Sequence, residues 1–386
     1  MKQVVLMSVV FAFLSAFCLA QEAKMTVKVE NPVNVNRQGA TIEVPWKDFS
    51  SVFPEGTKSI VVSEQNSGEV LPSQEFDANL DGVPDEVIFQ SDFKPMESKV
   101  FSLAASSTAQ KMTQSLVDVQ YVLPRQDVAW ENDRIAFRVY GPALAAEVSN
   151  GIDVWTKRVR YLIIKKWYEG EEQTPKIIYH IDHGEGADFF DVNRSLGCGG
   201  AGIWQNGKVY QPGVFSRYRI ISMGPLRACF EVYYDNWDVN GMKFKETERI
   251  TLDAGQNLNK IDVTFAGEQP GVRIELACGL VQRNHTRPYK NDSNTWVSLW
   301  GQINDNLPNG YLGTGIVFKP GQVTGTTEDS SQYIAFARTS TGSTFSYYAG
   351  AGWTRSGDFR SVDDWNGYLK HKALEIESPL SVTVVK

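Results

Sequence analysis

The sequence predicts an all-β protein, organised as a small sandwich followed by a large one. Three observations predict it. Short runs of β-branched and aromatic residues recur along the chain, Gly, Pro, Asn or Asp bounds them, and no helical period of any length accompanies them. The runs fall at 41–44, 59–62, 86–89, 135–140, 159–164, 176–181, 228–234, 260–265, 272–280 and 380–385. So many short strands suit sandwiches.

The chain opens with a different pattern. Lys2 precedes an apolar run over 4–20, and Cys18-Leu19-Ala20 places small residues at −3 and −1 before Gln21. This reads as a signal peptide over 1–20. The run is short for a membrane span and polar sequence follows at once, so no membrane insertion is expected after cleavage. Phe17 is bulkier than the residue that normally precedes a lipidated cysteine, which favours plain cleavage over anchoring. The expected location is periplasmic or secreted. Cys198, Cys229 and Cys278 then remain, an odd number that allows at most one disulfide. The fold must therefore rest on its own cores, not on a disulfide scaffold. A net charge of −7 argues against nucleic acid or an anionic membrane as partner. Ten Trp, 15 Tyr and 20 Phe serve core packing, and in an exported chain they also suit stacking on sugars.

The boundary between the two sandwiches is expected at 104–117, where Ala104-Ala105-Ser106-Ser107-Thr108-Ala109-Gln110 is small and polar with no apolar period. That leaves 25–103 as the N-terminal sandwich and 118–386 as the main domain. Within the first, Asp77, Asn79, Asp81 and Asp85 alternate as calcium-loop ligands do, with Gly82 after the third. Ile88 stands where the bidentate Glu of such a loop belongs, so two readings stay open: Ca2+ at Asp77–Asp85, or an Asx-rich turn. No other cofactor and no further metal site is expected.

Three segments of the main domain carry polar chemistry on strand-like sequence. At 130–142, a period of two puts Ile135, Phe137 and Val139 toward the core and Asn132, Arg134, Arg138 and Tyr140 on the other, open face. Guanidinium groups bind carboxylates and sulfates bidentately, although a solvated arginine face is the plain alternative. At 177–188, His180 and Asp182 share one face of a strand that runs into a Gly-rich loop continuing through Arg194 to Cys198. His180 reads as a general base or acid, as a metal ligand with Asp182 and His183, or as a structural hydrogen bonder. At 283–287, His285 at a strand end is a second acid–base candidate. His371, between Lys370 and Lys372, reads as surface.

These same segments resemble a known family. Trp-Glu-Asn-Asp-Arg-Ile-Ala-Phe-Arg-Val-Tyr-Gly-Pro, His-Ile-Asp-His-Gly-Glu-Gly-Ala-Asp-Phe-Phe-Asp-Val, Leu-Gly-Cys-Gly-Gly and Ser-Met-Gly-Pro-Leu-Arg-Ala, over 130–228, are similar to DUF4861 proteins. The resemblance implies a large galactose-mutarotase-like β-sandwich (a supersandwich) in an exported polysaccharide-degradation system. It also implies kinship with oligosaccharide dehydratases of ulvan breakdown, which remove water from a uronic acid to leave a 4,5-unsaturated sugar. The expected partner is then an anionic oligosaccharide. That chemistry needs the carboxylate charge neutralised, a base for the C5 proton and an acid for the leaving oxygen. The chain offers His180, His285, Arg194 and Tyr140 as catalytic candidates. Arg134, Arg138, Asn132, Trp130 and Trp204 are the candidates for holding the sugar. A glycosidic lyase needs the same set. A glycoside hydrolase, with candidates such as Glu185 and Asp188, or a non-catalytic glycan-binding protein are the rival readings.

Overall fold

Along the strand Met242–Asp253 every second side chain from Phe244 to Leu252 is buried, and those between reach solvent. This is the pleat at work: alternate side chains leave opposite faces. The computed structural model describes residues 24–48, 50–53, 59–106 and 114–385. The expected signal peptide and the middle of the expected linker lie outside the described residues.

Two sheets form the N-terminal sandwich. One holds five strands in the order Ser381–Val385, Lys24–Glu30, Ser98–Ser106, Ser59–Glu64 and Val70–Leu71. The other holds Arg37–Pro45, Glu86–Phe93 and Ser73–Phe76. Val27, Val29, Val44, Val62, Phe89, Phe101 and Leu103 fill the space between them. The strand at 381–385 corrects the expected boundary, because the C-terminus returns to this sheet instead of staying with 118–386. Val382 pairs with Val29 and Val384 with Val27, so the last strand covers an otherwise open edge and packs its valines on this core. The expected linker is also shorter than predicted: Ala104–Ser106 continue a strand, and Val117 begins the next.

In the turn at 77–85, Asp77 accepts the amides of Leu80 at 2.7 Å and Gly82 at 2.8 Å. Asp81 accepts Val83, and Asp85 accepts Ala78. These carboxylates close the hairpin as Asx turns.

The main unit sets an eight-stranded antiparallel sheet against two five-stranded ones. The eight run Arg217–Met223, Arg227–Val239, Met242–Asp253, Leu258–Ala266, Thr344–Trp353, Tyr311–Val317, Trp296–Gln302, Arg287–Lys290. One five-stranded sheet is built around Cys198–Gln205, Arg273–Val281 and Gln332–Ser340. The other runs Gly186–Asp188, Asp153–Lys157, Ile135–Val139, Asp127–Asn132 and Val117–Val122. All three share one apolar core that includes Phe137, Leu276, Phe230, Ile261 and Tyr347. The predicted all-β supersandwich, with a small sandwich before it, is the fold observed.

Two helices were not expected. Helix α1 spans Ile164–Glu171 and helix α2 spans Val362–Glu377. In α2, Ser361 caps the Asp364 amide, and Trp365, Leu369 and Ala373 line the buried face at four-residue spacing. Glycines receive that face: a Cβ at Gly313 would lie 2.4 Å from the Trp365 ring. Around α1 the expected strands at 159–164 and 176–181 do not form. Ile163, Trp167, Tyr168 and Tyr179 instead lie across Trp155, Ala129 and Ala136 as an outer cover on the sheet. The Glu131 carboxylate accepts the Ile163 and Ile164 amides, each at 2.7 Å, and so holds the positive end of α1.

Candidate active site

The cover formed by α1 decides where the polar residues of the second five-stranded sheet lie. Ile135–Val139 is buried on both faces. Ile135, Phe137 and Val139 do enter the main core. The opposite face, expected to be open, is closed by Trp167, Tyr168 and Tyr179.

Arg138 is therefore not a surface group. Its side chain is 6% exposed and contacts Asp153 at 2.6 Å, Asp188 at 3.0 Å and Asp127 at 3.7 Å. It also donates to the hydroxyls of Tyr179 and Tyr140. Three carboxylates share one guanidinium away from water. Burial pushes Asp127 up to about 6, with Arg138 opposing. Burial also pushes Asp188 well above the usual carboxylate range, Asp153 adds to this, and Arg138 opposes it.

His180 stands on the outer side of this cluster, in the turn after α1. Its Nδ1 lies 3.0 Å from the Asp188 carbonyl oxygen and 3.4 Å from the Asp188 carboxylate. A carbonyl only accepts, so that contact places a ring hydrogen on Nδ1, and in the neutral ring the lone pair is then the one on Nε2. The ring packs against Tyr179 and is half exposed. The turn continues with Asp182 accepting the Gly184 and Gly186 amides. Gly186 is required here: its φ is +115°, and a Cβ would come within 2.0 Å of the Thr156 carbonyl oxygen.

A cavity of about 420 Å³ opens beside His180. Its wall includes Asp182, Arg158, Arg355, Phe189 and three asparagines, Asn304, Asn306 and Asn309. Arg158 reaches the Asp182 carboxylate at 2.9 Å and Arg355 at 3.6 Å. Two guanidinium groups share one carboxylate, which leaves a positive charge facing the cavity. Asp182 is the one carboxylate among the described lining residues.

The structure separates the sequence candidates. Among the catalytic and sugar-holding candidates, His180 alone lines this cavity. Arg134 lies to one side, paired with Asp358 at 2.7 Å and with Asp133. Arg194 and Trp204 line a different cleft, of about 660 Å³. His285 is exposed in a turn with φ +63° and lines neither cavity. Tyr140 is buried beneath Arg138, and burial raises its phenol well above the ordinary value. Trp130 is fully buried between Phe137 and Phe230 and donates to Asn259, so its ring cannot stack on a sugar. Asn132 is fully buried and donates to the carbonyls of Asp253 and Gln256. The cover accounts for Arg138; Trp130 instead enters the main core, Asn132 is taken by backbone carbonyls, and Arg194, Trp204 and His285 come from segments that fold elsewhere on the molecule.

The metal reading of His180, Asp182 and His183 finds no grouping. His183 turns to the Ile178 carbonyl in a separate hollow, the arginines take Asp182, and no three His, Cys, Asp or Glu side chains cluster as ligands among the described residues. Cys198, Cys229 and Cys278 are all free and buried. Sequence reasoning missed Arg158, Arg355 and the three asparagines. Arg355 follows the strand Thr344–Trp353, and strand ends are where site loops gather, so that signal was present.

The family model described as a domain of unknown function, DUF4861, matches residues 29–382. A curated relative named Uncharacterized protein P7, from Formosa agariphila, is 29% identical over 404 residues covering all of both chains. Among solved structures, an alpha-mannosidase from Enterococcus faecalis V583 superposes with a TM-score of 0.50 at 11% identity, over 95% of this chain. The chain spans 46% of that mannosidase, and the likeness is one of fold. A glycosyl hydrolase family 38 protein from Enterococcus faecalis follows with a TM-score of 0.48, 10% identity and coverage of 95% of this chain and 48% of its own.

Proposed function

The chain belongs to the DUF4861 family, and on that premise we propose that it is a carbohydrate-active lyase or dehydratase acting on a uronic acid of an oligosaccharide. One observation carries this reading: His180, its Nδ1 engaged by Asp188, shares a cavity with the Arg158–Arg355 pair.

In this reading the two arginines seat the sugar carboxylate and stabilise the charge that develops on it. His180 Nε2 takes the proton from C5. The C–H electron pair becomes the C4–C5 double bond, and the C4–O bond breaks. The imidazolium then returns its proton to the departing oxygen, which leaves as water, or as a sugar hydroxyl if the bond broken is glycosidic. The ring ends neutral, as it began. Asp188 and the Arg138 cluster behind it hold the ring in place throughout. Phe189 offers an apolar wall and the asparagines offer hydrogen bonds to hydroxyls. The N-terminal signal pattern supports action in the periplasm or outside the cell.

The hydrolase alternative needs two carboxylates facing each other across the bond. Asp188 lies buried behind His180, while Glu185 is held by Lys166, Tyr161 and Trp167. The arrangement in this cavity therefore favours elimination.

The test is incubation with saturated uronate oligosaccharides. The expected product absorbs at the ultraviolet edge, and in the dehydratase case it is one water lighter. His180→Ala should lower the rate by about 10²–10⁴-fold. Arg158→Ala and Arg355→Ala should raise KM and also lower kcat, because the charge they hold grows in the transition state. Reducing ends released without unsaturation would overturn the elimination reading.

A further inference from the structure

The separation of Trp204 and Arg194 from His180 has a positive content. We propose that the cleft they line is a second, non-catalytic binding site for an anionic sugar. This rests on the carbohydrate reading above and adds a place on the molecule where the glycan is held.

Trp204 is the next-to-last residue of the strand Cys198–Gln205 and pairs with Val209 across the Asn206-Gly207 turn. Both turn residues have positive φ, as a tight two-residue hairpin requires. The indole lies on its sheet, packed with Val209 and Phe336 against Leu196, Ala277 and Ile334. One side of the ring packs on Phe336, centroids 4.8 Å apart, and the ring contributes to the cleft wall. It is thus a half-buried aromatic plate with a set orientation.

Two cations flank it. Arg194 is anchored on the Ala146 carbonyl, and its own carbonyl receives Gln211 at 2.8 Å. Lys208 sits 4.4 Å above the Tyr210 ring. Neither cation has a carboxylate partner among the described residues. Across the cleft, Glu328 accepts from Gln282, and Asp329 accepts from Ser331 and Gln332. Both carboxylates line the same space and can receive sugar hydroxyls.

The pieces match one ligand class. A pyranose lays its C–H face on the indole, directs a carboxylate or sulfate to Arg194 and Lys208, and gives hydroxyls to the acidic side. The volume of about 660 Å³ lies within the usual range of small-ligand sites, about 300–1,000 Å³. The cleft shares no described lining residue with the His180 cavity, and its two carboxylates are neighbours in sequence on one side, each held by its own donors, instead of facing each other across a bond as a hydrolytic pair must.

The experiment is affinity electrophoresis of the full chain carrying His180→Ala, in gels containing ulvan, alginate or polygalacturonate, with neutral laminarin as the control. At least one acidic polymer should retard this protein, and laminarin should not. Adding Trp204→Ala, or Arg194→Ala with Lys208→Ala, should weaken retention at least ten-fold, and added salt should weaken it further. Lys208→Ala alone, on the hairpin surface, keeps the test valid if Trp204→Ala fails to fold. The site is refuted if no acidic polymer retards the His180→Ala protein, or if the added substitutions change nothing. Wild-type formation of unsaturated product in that event would leave the elimination reading standing. Retention without any such product would instead remove the elimination reading and leave the site.

Discussion

Arg138 shows how far a single residue can be read from its neighbours. Period two places it opposite Phe137, which is where it lies. What covers that face is set by Trp167, Tyr168 and Tyr179, about 30 to 40 positions later in the sequence. Arg138 therefore serves as the hub of a buried charge cluster, not as a hand for the substrate. Removing it leaves Asp127, Asp153 and Asp188 buried without their cation. Arg138→Ala should destabilise the protein by about 3–5 kcal/mol, read from the urea midpoint. A loss below about 1 kcal/mol would mean that water reaches the cluster. His180 differs in kind: a histidine beside a Gly-rich loop was visible as a candidate, but Asp188 as the group orienting it was visible only in three dimensions.

At the scale of elements, strands were legible and helices were not. The runs at 41–44, 59–62, 86–89 and 260–265 all fall inside observed strands. Alternation is a local property, and one buried face is enough to write it into the sequence. Helix α2 escaped because its buried stripe is only Trp365, Leu369 and Ala373, with charged and polar residues between. Its stability comes from what it meets, the glycine-floored groove at Gly313 and Gly315. Trp365→Ala should cost about 3–5 kcal/mol, seen as a lower denaturation midpoint with the slope unchanged. The run at 159–164 failed for the opposite reason. Its apolar residues are needed for a cover across a sheet, and an apolar run too short to show its period fits either role.

The molecule as a whole carries a pH dependence inside its main core. Glu246 and Glu248 both point inward from Met242–Asp253, fully buried, with no cation in ion-pair contact among the described residues. Tyr234 faces them from the neighbouring strand, Cys278 from the opposite sheet and Tyr347 from Thr344–Trp353. None of the three is a cation. Burial pushes Glu248 up to about 7 and Glu246 well above the ordinary carboxylate range, each close enough to share a proton with the other. A carboxyl whose pKa is higher folded than unfolded stabilises the fold fully below its unfolded value of about 4.3, and that contribution is lost as pH rises through the folded value. Burial also pushes Glu86 up to about 7, so it acts in the same direction. The melting temperature should therefore fall between pH 5.5 and 8.5. In the Glu246→Gln, Glu248→Gln double variant the fall should be smaller; an equal fall in both proteins would mean that the pair does not titrate in this range.

Fold class and family were legible from the chain alone, because strand alternation and a run of matching residues are both properties of neighbours along it. The sequence also placed His180 among four catalytic candidates. Tertiary structure alone decided which charged faces are covered, which arginines share a cavity with that histidine, and that the last strand closes the first sheet. The physical reason is common to all three. Burial and electrostatic partnership depend on groups brought together from distant positions, and local pattern carries no information about what will arrive on the far side of a strand.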